Sequence, residues 1–123
     1  MKHTAFLSAI LLLSAVSAGA GTFDAVHMSV ITRANEADSG VILAVSDLGP
    51  VAAETASLLN TKTQQDGSYA PLLLVLTKED RESNLSSLNL TENDLPALIF
   101  YNKQGQEVRR VVDALDILSK TPL

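Results

Sequence analysis

Two uninterrupted apolar runs, Val41-Ile42-Leu43-Ala44-Val45 and Leu72-Leu73-Leu74-Val75-Leu76, constrain this chain more than any other feature. A half-exposed strand alternates apolar and polar residues. A run that is apolar at every position is a strand covered on both faces, as in a parallel sheet. Between the two runs Ala52, Ala56 and Leu59 fall at helical spacing, flanked by Val51 and Leu58, and this helix is expected to reach about Lys62. Asp47 stands where an N-cap would, Pro50 suits a first helical turn, and Gln64 to Gly67 reads as a polar turn. Strand, helix, strand in this order is a crossover unit with parallel strands.

The rest of the chain extends that unit. Leu85, Leu88 and Leu90 suggest a short helix after the charged stretch Lys78 to Ser83. Pro96 to Tyr101 is a third apolar run, and Glu107 to Val112 returns as its hairpin partner across the turn Asn102 to Gln106, with Gly105 available for positive φ. Before Gly40, the spacing of Val26, Val30, Ala34 and Ala37 favours a helix from about Asp24 to Ala37, against an edge strand over Ala25 to Thr32. Asp113 to Leu123 has room for one short helical turn around Ala114 to Leu118, which is expected to leave an apolar sheet face partly bare. The fold class is α/β, with a mixed sheet of about four strands and flanking helices.

A chain of 123 residues forms one domain. It opens with Lys2 and His3, an apolar stretch from Ala5 to Val16, and the small residues Ser17 to Ala20. This is the layout of a cleaved secretory signal peptide over residues 1–20, cut after Ala18 or Ala20, and its apolar core is too short for a membrane span. The mature domain, 21–123, is therefore expected in the periplasm or the secreted space, with no membrane insertion after cleavage. It keeps eight basic and fourteen acidic residues. Such an acidic balance argues against nucleic acid and anionic lipid as partners. There is no cysteine, which excludes thiol catalysis, disulfides and thiolate metal sites. Asn84-Leu85-Ser86 and Asn89-Leu90-Thr91 match the glycosylation sequon, which matters only in a eukaryotic host.

Two stretches carry a resemblance. Ser46-Asp47-Leu48-Gly49-Pro50-Val51 follows a buried strand and opens a helix, and Asn93-Asp94-Leu95-Pro96-Ala97-Leu98-Ile99-Phe100-Tyr101 is a proline-led strand followed by Gly105 and Val108. From about Asp24 to Asp113 the chain resembles the thioredoxin-like family, as a degenerate member with a reduced C-terminal helix. In that family the first junction carries Cys-Gly-Pro-Cys; here Gly49 and Pro50 remain, and Leu48 and Val51 stand at the cysteine positions. The resemblance implies a cis Leu95-Pro96 bond facing that junction. It also implies that the acid often buried in the central strand is Ile42 here, and that the tryptophan before the first cysteine is Asp47. The residues that shape the backbone are kept and those that perform redox chemistry are replaced.

Other chemistries find little support. His27 is the one histidine of the mature chain; Ser46 or Ser57 with Asp47 would have to complete a triad, and no nucleophile-elbow pattern surrounds them. Glu79, Asp80 and Glu82 lack the spacing of a calcium loop and read as solvated. Arg109 and Arg110, adjacent on a strand, point to opposite faces and cannot form one anion site. No cofactor or metal is expected. What the resemblance implies is a non-catalytic binding or accessory module. An extended peptide, a protein partner or a second copy would occupy the groove lined by Asp47, Leu48, Gly49, Pro50, Val51, Leu95 and Pro96, pairing with the backbone before the proline. The alternative is an enzyme or redox-system component that uses the fold without thiols of its own.

Overall fold

The computed structural model describes residues 22–120, and the expected signal-peptide boundary lies outside them. The elements are α1 (Thr22–Ala37), β1 (Gly40–Asp47), α2 (Pro50–Asp66), β2 (Tyr69–Leu76), α3 (Arg81–Ser87), a 3-10 turn (Glu92–Asp94), β3 (Ala97–Tyr101), β4 (Glu107–Val111) and α4 (Leu115–Lys120). The N-terminal segment is helical rather than an edge strand. Val26, Val30 and Ala34, spaced four apart, form its buried stripe.

The sheet has four strands in the order β2-β1-β3-β4. β1 pairs in parallel with β2, Val41 opposite Ala70 and Val45 opposite Leu74. It pairs antiparallel with β3, Val41 opposite Tyr101 and Val45 opposite Ala97. β4 closes the far edge against β3, with an irregularity between Phe100 and Tyr101. Both faces of the central strands are covered, which explains the unbroken apolar runs. Val41, Leu43 and Val45 pack with Leu72, Leu74 and Ile99 under α1 and α3. Ile42 and Ala44 alternate to the other face, with Leu59, Leu98, Phe100, Ala114 and Leu118.

That second face corrects an expectation. The short C-terminal segment does not leave it bare, because Ala114 and Leu118 are fully buried and complete its cover together with α2. The bounds of α2 differ as well. The helix continues to Asp66, since Gln64, Gln65 and Asp66 occupy its exposed side, and it stops at Gly67, whose left-handed φ of 78° lets its N–H reach the Thr63 carbonyl at 2.8 Å. Its buried stripe is Ala52, Thr55, Leu59 and Thr63, so two threonines share the work assigned to alanines and leucines. Among the described residues no helix is long and apolar enough to cross a membrane.

Candidate functional site

β1 ends at Asp47, opposite Leu76, and the chain turns into α2 through Leu48 and Gly49. Gly49 is the N-cap, at φ 126° and ψ −165°, a region that only glycine adopts without strain. A Cβ built there would meet nothing within 4 Å, so the requirement is conformational and not steric. Pro50 then opens the helix with a fixed φ and no N–H to leave unsatisfied. The Gly49 carbonyl accepts the Ala52 N–H at 3.0 Å. Gly-Pro thus sets the direction of the turn, and that turn lifts Leu48 into solvent at 73% exposure. Val51 is half-buried.

Asp47 does not cap α2, contrary to expectation. It is still paired as a strand residue, too far back to reach the first free N–H groups. Its carboxylate forms an ion pair with Arg81 at the start of α3. Arg81 also reaches Glu92 at 3.4 Å, and Glu92 opens the turn leading to Leu95 and Pro96. Arg81 therefore ties the end of β1 to the segment before β3. In sequence it is one cation in a charged stretch, and its partners lie far away along the chain, so no local signal points to it.

The Leu95-Pro96 bond is cis, as the resemblance implies. The preceding turn is closed by a capping box in which the Thr91 N–H donates to Asp94 Oδ2 at 2.8 Å. The Asp94 carbonyl accepts from Asp113 N–H at 2.7 Å, and the Pro96 carbonyl from Ala114 N–H at 2.8 Å. The segment after β4 thus takes up the carbonyls on both sides of Leu95. The Leu95 N–H makes a long 3.4 Å bond to the Glu92 carbonyl. β1 ends and β3 begins at the same end of the sheet, with Val45 opposite Ala97. The fold thus gathers all seven expected residues at one end of the sheet: Asp47, Leu48, Gly49, Pro50 and Val51 on one side, Leu95 and a buried Pro96 on the other.

The remaining candidates separate. Ser46 is fully buried, and its hydroxyl donates to the Asp47 carbonyl at 3.0 Å. His27 lies beside the Gly105 turn, at the other end of β3 from Pro96, about 15 Å away for a strand of this length. Ser57 is exposed on α2, across the sheet from the helix that carries His27, so among the described residues these candidates assemble no triad. Asp80 is not solvated: it is 4% exposed, accepts the Thr77 N–H at 2.9 Å and donates its own N–H to the Thr77 hydroxyl, closing the turn between β2 and α3. Arg109 and Arg110 do point to opposite faces. Arg109 stacks over Phe100 at 4.7 Å. Arg110 grips Glu107 through two bonds of 2.7 and 2.8 Å and donates to the Leu88 carbonyl. That pairing lowers the Glu107 pKa and raises that of Arg110. Burial, then the nearby Glu107 charge, pushes the Tyr101 hydroxyl up to about 12.

A shallow cavity of about 450 Å³ lies at the opposite end of the sheet, lined by Asp38, Ser39, Gly40, Tyr69, Asn102 and Lys103 among others. The Lys103–Asp38 ion pair, 2.9 Å, joins two of these residues. Among the described residues no group of three or more histidines and acids could hold a metal ion.

Sheet order, crossover, Gly-Pro junction and proline-led strand together define the architecture. The fold is thioredoxin-like. No protein-family profile matches the chain, and no curated protein does. Among solved structures it is similar to the crystal structure of Trxlp from Edwardsiella tarda EIB202, with 21% identity and a TM-score of 0.48, over 74% of this chain and 88% of that one.

Proposed function

We propose that this protein is a non-catalytic binding module that acts outside the cytoplasm and takes an extended segment of a protein partner between Asp47–Val51 and Leu95–Pro96. One observation carries the reading: at the position where thiol chemistry would need a cysteine, a leucine stands largely in water on a loop shaped by Gly49 and Pro50. An exposed leucine at the end of the sheet where β3 begins suits an apolar side chain of a peptide that adds as a strand. Thiol–disulfide exchange needs a thiolate, and the only sulfur here is in methionine. The signal-like residues 1–20 support export.

Selection of peptides from a random library on the immobilised protein, followed by fluorescence anisotropy with single peptides, tests the site. Binding that is lost in Leu48→Arg and kept in Glu79→Gln/Glu82→Gln supports the groove; the reverse places the site elsewhere. N-terminal sequencing of exported protein is expected to begin at Gly19 or Gly21. The protein is expected not to catalyse insulin reduction, and turnover in a thioredoxin-free preparation contradicts the non-catalytic reading.

A further inference from the structure

The end of the sheet that carries Leu48 also carries six of the fourteen acidic residues against two nearby cations on the same loops. Parallel β1 and β2 finish there, and β3 starts there. The loops that meet at this end bring Asp47, Glu79, Glu82, Glu92, Asp94 and Asp113, against Lys78 and Arg81. Arg81 is already committed to Asp47 and Glu92, and Glu79, Glu82, Glu92 and Asp113 are exposed. Of the other cations, Lys103 pairs with Asp38 at the far end, Arg33 donates to the Pro71 carbonyl and Arg109 stacks over Phe100, while Arg110, which feels the Asp94 charge, is held by Glu107 and the Leu88 carbonyl.

We infer that the groove selects cationic segments, in which an apolar residue seated against Leu48 is flanked by lysine or arginine. It does so only if the groove proposed above is the binding site. The apolar contact supplies adhesion, and the surrounding carboxylates supply choice of partner and speed of encounter, because charges around a rim act chiefly on association. The same field disfavours acidic segments.

Labelled peptides with Val-Leu-Val at the centre, flanked on each side by a pair of lysines, serines or glutamates, test this by stopped-flow anisotropy. At an ionic strength of about 0.01 M the lysine peptide is expected to associate about tenfold faster than the glutamate peptide, and the ratio should approach unity at about 1 M salt. Glu79→Gln/Glu82→Gln should reduce the ratio at low salt, while Leu48→Arg should abolish binding of all three peptides. Equal association rates at low salt, with binding still lost in Leu48→Arg, overturn the charge selection and leave the groove standing. Binding that survives Leu48→Arg, or absence of binding by every peptide, overturns the groove and the selection with it.

Discussion

Leu48 is exposed while every other leucine with a described environment is buried or half-buried. Replacing it by arginine removes no packing, so Leu48→Arg should change stability by no more than about 0.5 kcal/mol and leave the circular dichroism spectrum unaltered. Its neighbour is the opposite case. Gly49→Ala meets no atom yet forces a non-glycine residue to φ 126°, and urea denaturation should show a loss of about 1–3 kcal/mol. Gly67→Ala, at the milder φ of 78° and equally unobstructed, should cost only about 1 kcal/mol. Equal losses at the two positions would mean that the Gly49 backbone is not held as described. Tyr101 gives a pH signature. Its hydroxyl titrates near 12 in the fold against 10.0 ordinarily, so the unfolded chain loses that proton first as pH rises. The stabilisation is full below pH 10 and is lost between about pH 10 and 12. Tyr101→Phe should flatten that limb of the stability curve; an unchanged limb contradicts the burial argument.

The elements were legible in the sequence where the backbone or a face dictated them. β1 and β2 announce themselves because each alternates between two covered faces, and Gly49-Pro50 because no other pair makes that turn so readily. What escaped was tertiary. Asp47 looks like a cap until its strand pairing is known, Arg81 finds Asp47 across the molecule, and Asp80 is buried by the turn it closes. Thr55 and Thr63 lie in the buried stripe of α2 because a threonine hydroxyl can bond back into its own helix, as Thr63 does to the Leu59 carbonyl at 2.9 Å. The junction itself is testable as an element. If Leu48–Val51 keeps the geometry of a thioredoxin-like helix start, Leu48→Cys/Val51→Cys should oxidise to an intramolecular disulfide, which requires Cα atoms within about 7 Å. Mass spectrometry of the oxidised double variant decides it, and a persistent dithiol speaks against the junction geometry.

The whole molecule has a covered sheet and one end where loops, an exposed leucine and the backbone of Leu95 converge. Both apolar faces are closed by the chain's own helices, and the proposed binding lies at that end. The cavity beside Asp38 and Lys103 is the competing surface. Amide chemical-shift mapping with the lysine-flanked peptide distinguishes the two most directly. The expected result is shifts confined to Asp47, Leu48, Gly49, Val51, Leu95 and Ala97, with none at Asp38, Ser39, Asn102 or Lys103. Shifts centred on the Asp38–Lys103 end, with Leu48 and Leu95 unmoved, would contradict the claim that this fold binds its partner where the redox motif of a thioredoxin-like protein would stand.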